Sequence, residues 1–146
     1  RTLAAEEEEL CRAFPSQLRF ESADVTDEVG LDRVFTRNSP WLVVHAAALT
    51  ALTDDDEQRR FVAIWDVNVA GTAKVLEASR RAGVRRLVLV SSGTVYGNGP
   101  ASVALAEDAE LRPSSTYGIS KFMAEMVCRR HQVLWAGQPE VRIVRS

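Results

Sequence analysis

The segment RRLVLVSSGTVYG, residues 85–97, holds an apolar run of strand length that ends in two serines, a glycine and a threonine. A continuous apolar run is typical of a strand that is buried on both faces, as in a parallel sheet. A second run, WLVVHAAA at residues 41–48, ends in three alanines. Between them lies an amphipathic helix pattern, Arg60–Ala82, followed by Gly83. Strand, helix and strand in this order predict a parallel sheet with right-handed crossovers.

The same alternation continues on both sides of this unit. Residues 18–23 alternate apolar and polar side chains and predict a strand, and residues 140–146 predict a last strand. Further helices are predicted at Thr2–Phe14, from Thr26 or Asp27 onward, and at Tyr117–Trp135. The sequence therefore predicts an α/β fold with a doubly wound parallel sheet, of the Rossmann-like kind.

The composition excludes several classes of function. The chain has 146 residues, which suits one domain, and its net charge of −2 provides no basic field for nucleic acid. No apolar run approaches the roughly 20 residues that span a bilayer. Cys11 and Cys128 are far apart, and together with His45 and His131 they match no metal-binding spacing. We expect a cytoplasmic protein with reduced cysteines, no metal, and no nucleic-acid or membrane partner.

The segment SSTYGISKFMAE, residues 114–125, places Tyr117 and Lys121 four residues apart. On a helix this spacing puts both side chains on one face, about 5–6 Å apart at Cβ. A lysine ammonium beside a phenol favours the ionised phenol and permits proton exchange near neutral pH. The same spacing is also common on ordinary helix surfaces, so the pair alone leaves both interpretations open.

Ligands of doubly wound sheets bind at the carboxyl ends of the strands. Small side chains there allow a flat ligand to approach the backbone, although tight helix–sheet packing also requires them. Ser92 and Tyr117 both reach this edge, where a serine hydroxyl can bond a substrate oxygen while the tyrosine exchanges a proton. Such an arrangement suits hydride transfer to or from a carbon that bears oxygen. The residues that follow the predicted strands are Asp24 and Val25; Ala46, Ala47 and Ala48; and Ser91, Ser92, Gly93 and Thr94.

Five segments in a fixed order carry a family resemblance across essentially the whole chain. They are DVTD at 24–27, VVHAAA at 43–48, DVNVAGT at 66–72, LVSSGTVYG at 89–97 and PSSTYGISKFMAE at 113–125. Ser92 and Tyr117 lie 25 residues apart. The sequence resembles the extended short-chain dehydrogenase/reductase family, and within it the NAD-dependent epimerases and dehydratases of nucleotide sugars.

The resemblance implies a role for each matching residue. Ser92, Tyr117 and Lys121 would be catalytic, with Tyr117 the general acid/base and Lys121 also bonding the nicotinamide ribose. Ser92, Thr94 and Tyr117 would contact the substrate. Glu107 resembles the acidic residue of the family's E…P…YG.SK stretch, and Tyr96 is usual in sugar-nucleotide members, with packing as its alternative role. The implied cofactor contacts are Asp24, Val25, Ala46, Ala47, Ala48, Asn68, Ser91, Tyr117 and Lys121.

The implied function is an NAD(P)-dependent oxidoreductase, epimerase or dehydratase that acts by hydride transfer on a hydroxyl or keto carbon of a nucleotide sugar. A ketone or steroid-type reductase and a non-catalytic nucleotide-binding module are the alternatives. The cofactor would be NAD or NADP. The resemblance also implies a homodimer, formed by helices Arg60–Ala82 and Tyr117–Trp135, which carry more apolar residues than one sheet-facing stripe needs.

The chain contains no G-x-x-G-x-x-G, the turn that holds the pyrophosphate in such folds. Its strands correspond to numbers 3 to 6 of the order 3-2-1-4-5-6. We therefore expect residues 1–146 to form a partial dinucleotide-binding domain, without the first two strands, the glycine loop and the C-terminal substrate-binding segment. Without strands 1 and 2, the strand at residues 18–23 would have no neighbour to satisfy its backbone.

Overall fold

The computed structural model describes residues 6, 9–10, 12–14, 18–51, 53–97 and 106–146. Its sheet has three parallel strands in the order β1-β2-β3, with β2 in the centre. Leu42, Arg86 and Glu140 lie side by side at one end, and His45, Leu89 and Ile143 lie side by side three residues further on. The strands are β1 (Leu42–His45), β2 (Arg86–Ser91) and β3 (Glu140–Arg145).

From residue 18 onward, the described part of the chain contains four α-helices, and one π-helical turn, Asp66–Ala70, joins two of them. The helix predicted at Arg60–Ala82 begins earlier, at Asp54, because Thr53 caps it and acidic residues in the first turn complement the helix dipole. The hydroxyl of Thr53 accepts the amide of Asp56 at 3.2 Å. The helices are α1 (Glu28–Asn38), α2 (Asp54–Trp65), α3 (Gly71–Arg81) and α4 (Thr116–Leu134).

The hydrophobic core lies on one face of the sheet. Side chains of α1, α3 and α4 pack there against alternate residues of the strands. The opposite face carries Val44 and Val144, which remain 60% and 52% exposed. The described helices of this parallel α/β fold thus cover one face of the sheet. The core residues are Leu31, Phe35, Val75, Leu76, Ala78, Val84, Leu87, Leu89, Ala124, Cys128 and Val141.

The strand predicted at Leu18–Ala23 is wrong for this structure, in which these residues form no strand. They have no regular secondary structure and lead into a turn at Val25 and Thr26. No described strand lies beside them, and a lone strand leaves its backbone groups without ladder partners. The alternating pattern therefore does not produce a strand without a neighbour.

Only part of the helix predicted at Thr2–Phe14 lies within the described residues. Residues 6, 9–10 and 12–13 are helical, and the amide of Phe14 donates to the carbonyl of Leu10 at 2.9 Å. Cys11 lies outside the described residues, whereas Cys128 is a buried free thiol. No helix among the described residues is long and apolar enough to cross a membrane.

Candidate active site

A tight turn follows β2 and carries two of the predicted site residues. Ser92 begins this 3₁₀ turn, Gly93–Tyr96, and its hydroxyl accepts the amide of Thr94 at 3.3 Å. Gly97 ends the turn with a φ of 79°, and a Cβ there would overlap the carbonyl oxygen of Arg112. Only glycine fits that position, and the turn leaves Ser92 half-buried and Thr94 exposed at the carboxyl edge of the sheet.

The first turn of α4 contacts this turn directly. Ser115 caps the helix, since its hydroxyl accepts the amide of Gly118 at 3.0 Å. The carbonyl oxygen of Thr94 packs so closely on Gly118 that a Cβ there would lie 2.9 Å from it. The half-buried Tyr117 precedes Gly118 in this turn. The structure thus brings the segments of Ser92 and Tyr117 together at one edge, as the sequence predicted.

Lys121 lies one helical turn after Tyr117 and is only 3% exposed. Its ammonium donates to the carbonyl oxygen of Val90, the last but one residue of β2, at 2.6 Å. Burial lowers the pKa of Lys121, while the charges of Cys128 and Glu125 act in the opposite direction. An ammonium can donate three hydrogen bonds, and within the described residues Val90 takes one of them. Two N–H groups therefore remain for a ligand.

Asn68 connects the loop after β1 to α4. It lies buried in the π-helical turn, a feature that is frequent at functional sites. Its side chain accepts the amide of Leu49 at 2.7 Å and donates to the carbonyl of Leu49 at 2.9 Å. It also donates to the hydroxyl of Ser120 at 2.9 Å, and that hydroxyl donates to the carbonyl of Tyr117 at 2.8 Å. Asn68 therefore fixes two segments of the edge at once.

The predicted adenine and ribose contacts lie on two other segments. Ala46–Ala48 are exposed in the loop after β1, immediately before the bonded Leu49. Asp24 forms a local turn, in which the backbone amide and the hydroxyl of Thr26 lower the pKa of its carboxyl. The ammonium of Lys74 donates to the carbonyl of Thr26 at 2.7 Å and attaches this turn to α3. Val25 packs against Gly71 at the start of α3.

Ser91 differs from its neighbour Ser92, because its side chain faces the helices. Its hydroxyl donates at 2.7 Å to Glu125, a carboxylate of α4 that is 0% exposed. Arg145 of β3 binds the same carboxylate with two bonds of 2.9 and 2.8 Å. Only the backbone of Ser91 is thus left for the predicted cofactor contact. Glu125 and Arg145 are not among the predicted site residues.

Arg145 also holds the turn after β2. Its guanidinium donates to the Tyr96 hydroxyl at 2.7 Å and to the Glu107 carbonyl at 3.0 Å, and it lies 5.1 Å from the centre of the Tyr96 ring. The hydroxyl of Tyr96 in turn donates to the Glu107 carbonyl at 3.1 Å. Tyr96 and the backbone of Glu107 are therefore parts of one network with Glu125.

His45, at the end of β1, is a further residue that the predicted site does not include. Its Nε2 donates to the hydroxyl of Thr72 at 3.0 Å, because that hydroxyl donates its own proton to the carbonyl of Asn68 at 2.6 Å. Burial, and then the positive charge of Lys121, lower the pKa of His45 to about 4. The described residues contain no group of three side chains that could hold a metal ion.

The sequence profile of the NAD-dependent epimerase/dehydratase family matches residues 2–137. The chain belongs to this family. UDP-glucose 4-epimerase 4 of Oryza sativa subsp. japonica is 36% identical over 112 residues, which are 77% of this chain and 30% of that protein. The chain spans about a third of the length of the curated relatives that it matches.

Solved structures of family enzymes have the same fold. The UDP-glucose 4-epimerase of Thermus thermophilus, in complex with NAD, matches 92% of this chain and 42% of its own, with a TM-score of 0.80 and 28% identity. The dTDP-glucose 4,6-dehydratase DesIV of Streptomyces venezuelae, a double mutant with NAD and DAU bound, matches 94% of this chain and 40% of its own. Its TM-score is 0.80 and its identity 31%.

His45 should make the stability of this epimerase/dehydratase domain depend on pH. Its pKa is about 4 in the folded state, below the ordinary value of 6.5, so the unfolded chain takes up the proton first as pH falls. This group should therefore lower the free energy of unfolding by about 1 kcal/mol between pH 6 and pH 5. Chemical denaturation at pH 6 and at pH 5 measures this change, and the free energy of unfolding should fall less between the two pH values in His45→Gln. An equal fall in both proteins would contradict this.

Gly118→Ala should disturb the contact between the two turns. Alanine normally favours a helix over glycine, but here its Cβ would lie 2.9 Å from the Thr94 oxygen and 3.3 Å from the Pro113 Cβ. Overpacking should lower the free energy of unfolding by about 1–3 kcal/mol, measured by chemical denaturation. Gly30→Ala is the control, since its nearest neighbour is the carboxylate at the end of the Asp27 side chain. Equal effects of both substitutions would refute the expected contact.

Proposed function

We propose that the whole protein is an NAD-dependent epimerase or dehydratase of a nucleotide sugar, and that Ser92, Tyr117 and Lys121 carry its reaction. The main observation is the bond from Lys121 to the carbonyl of Val90, near the end of β2. It ties the helix face of Tyr117 to the strand end that leads into Ser92. Membership of the family and the names of the relatives support the reaction and the substrate class.

The residues present fit part of a dinucleotide. Lys121 keeps two N–H groups for the hydroxyls of a ribose, and the exposed alanines 46–48 leave their backbone open to a flat ligand. Asp24 and Val25 would meet the adenine beside α3. When bound, NAD would supply the hydride acceptor for a carbon of the sugar. The NAD complexes among the related structures favour NAD over NADP.

Each catalytic residue has a separate part in this proposal. Tyr117 takes the proton of a sugar hydroxyl as the carbon is oxidised and returns a proton when the ketone is reduced. Ser92 bonds the same oxygen and stabilises the charge that develops on it. Lys121 bonds the ribose of the cofactor and holds it beside Tyr117. Thr94 is exposed beside Ser92, where it would contact the sugar.

NMR spectroscopy of the products tests the proposal. The whole protein, supplied with NAD, should convert UDP-glucose to its C4 epimer, or convert dTDP-glucose to a 4-keto-6-deoxy sugar with loss of water. Oxidation of NADPH by a simple or steroid ketone, without either sugar conversion, would favour a reductase. Nucleotide binding without turnover would favour a non-catalytic module.

We also propose that the whole protein is a homodimer through α2, α3 and α4. Ile64 and Val75 of these helices are buried in the monomer and cannot contribute to such an interface. Phe61, Met123 and Val133 remain exposed, and an apolar groove of about 430 Å³ runs between α3 and α4. These surfaces leave apolar area for a copy of the chain to cover.

Sedimentation equilibrium of the whole protein should give twice the monomer mass at micromolar concentration. Met123→Glu should shift the mass to that of the monomer, because an unpaired buried charge is unfavourable. Val29→Glu is the control, since Val29 is equally apolar, 69% exposed and part of α1. A monomer mass for the unmodified protein would rule the dimer out.

A further inference from the structure

Glu57, in the first turns of α2, reaches across to the start of α4. The backbone amide of Thr116 donates to its carboxylate oxygen Oε1 at 2.8 Å, although the two residues are 59 positions apart. Thr116 is the first residue of α4 and directly precedes Tyr117. The hydroxyl and the amide of Thr116 lower the pKa of Glu57, so the carboxylate is ionised at neutral pH. None of the family segments in the sequence contains Glu57.

The other first-turn bonds of α4 come from its own cap. Ser115 accepts the amide of Gly118 through its hydroxyl and the amide of Ile119 through its carbonyl. Within the described residues, Glu57 alone bonds a first-turn amide of α4 from another helix. A carboxylate at this place forms a charge-assisted bond and complements the positive end of the helix dipole. Glu57 therefore links the start of α4 to α2.

A second contact holds the other end of the same turn. Asn68 donates to the hydroxyl of Ser120, which donates to the carbonyl of Tyr117. Glu57 and Asn68 belong to one continuous helical segment, α2 with the π-helical turn. This segment thus bonds α4 at Thr116, one residue before Tyr117, and at Ser120, three residues after it. Together these two contacts restrain the position and the rotation of the turn, in addition to the packing of Gly118 on the Thr94 carbonyl.

We propose that Glu57 is a positioning residue, which holds the first turn of α4 so that the hydroxyl of Tyr117 meets the substrate. The proposal rests on the catalytic function proposed above for Tyr117. A displacement of about 1 Å in a reacting group can lower a rate by 10²-fold. Loss of one of the two contacts should displace the turn by less than about 1 Å. We therefore expect kcat to fall about tenfold in Glu57→Ala.

Three variants of the whole protein separate this role from others. Glu57→Ala removes the bond, whereas Glu57→Gln keeps an oxygen that accepts the Thr116 amide and should restore most of kcat. Asp55→Ala removes an exposed carboxylate of the same helix turn that is not bonded to α4 in the described part of the chain, and should leave kcat unchanged. In Glu57→Ala the KM for the nucleotide sugar should be unchanged, because the residue acts through Tyr117.

Steady-state kinetics and amide hydrogen exchange together decide the proposal. Exchange at residues 116–120 should be faster in Glu57→Ala and normal in the other two variants, with the fall in kcat confined to Glu57→Ala. A raised KM with normal kcat would assign Glu57 to substrate binding and overturn the proposal, as would faster exchange with normal kcat. An equal fall in kcat in Asp55→Ala would show a general effect of removing a negative charge, and would also overturn the proposal. If the unmodified protein converts neither sugar, the proposed function fails, and exchange alone then decides whether Glu57 holds the turn.

Discussion

Tyr117→Phe should lower the kcat of the whole protein by about 10²–10⁴. The substitution removes the phenolic hydroxyl, which exchanges the substrate proton in the proposed mechanism. It keeps the ring, which is half-buried in the first turn of α4 beside Gly118. The turn itself should stay in place, because its bonds to Glu57 and Ser115 involve the backbone of neighbouring residues. Rates of nucleotide-sugar conversion, followed by NMR, measure the effect.

The chain offers a matched control, because Tyr96 is its other tyrosine. The hydroxyl of Tyr96 bonds Arg145 and the carbonyl of Glu107, so Tyr96→Phe removes a structural contact of the neighbouring turn. Its kcat should fall far less than that of Tyr117→Phe. Calorimetry should show that both variants still bind NAD, with Tyr117→Phe losing at most the contact of its own hydroxyl. Near-normal turnover in Tyr117→Phe would reject Tyr117 as the proton carrier.

The strands and helices that border the site could be predicted from local patterns. The apolar runs at residues 41–48 and 85–92 gave β1 and β2, and the helix predicted at Tyr117–Trp135 corresponds to α4 within one residue at each end. Residues 18–23 show the limit of such patterns, since a strand also requires a neighbour that no local pattern can provide. The π-helical turn was equally hidden, because no local residue pattern marks a single π-turn within a continuous helix.

Some side chains at the carboxyl edge of the sheet could likewise be placed from the sequence, whereas others could not. Ser92, Tyr117 and Lys121 could be placed by sequence, because a strand end and a helix start bring them to one edge. Strand alternation also predicts the orientation of Ser91. The Ser91 side chain shares a face of β2 with Leu87 and Leu89, and so it points to the helices. The bonds of Glu57 to Thr116 and of Glu125 to Arg145 join residues 59 and 20 positions apart. No spacing rule predicts such contacts from a single sequence.

Arg145→Met should lower the free energy of unfolding by about 3–5 kcal/mol, because it leaves the carboxylate of Glu125 buried without its cation. Glu125 is 0% exposed, and its remaining partners among the described residues would be the Ser91 hydroxyl and Arg129, whose guanidinium lies 3.7 Å away and is largely exposed. The Arg145 side chain is itself only 16% exposed, so solvent screens the pair weakly. Equilibrium denaturation with urea at pH 7 measures the loss.

The double variant Glu125→Leu/Arg145→Met is the control for this prediction. With neither charge present, it should recover much of the stability, because an apolar pair often replaces a buried ion pair without loss.

Lower pH should also raise the relative stability of the single variant Arg145→Met. In the unmodified protein, burial opposes ionisation of Glu125, but Arg145 and Ser91 hold its pKa below the ordinary value. Without Arg145, burial should raise that pKa above its unfolded value, so the folded state takes up the proton first as pH falls. The deficit of Arg145→Met should thus shrink from pH 7 to pH 5, and a deficit that grows would show that Glu125 is not the source of the instability.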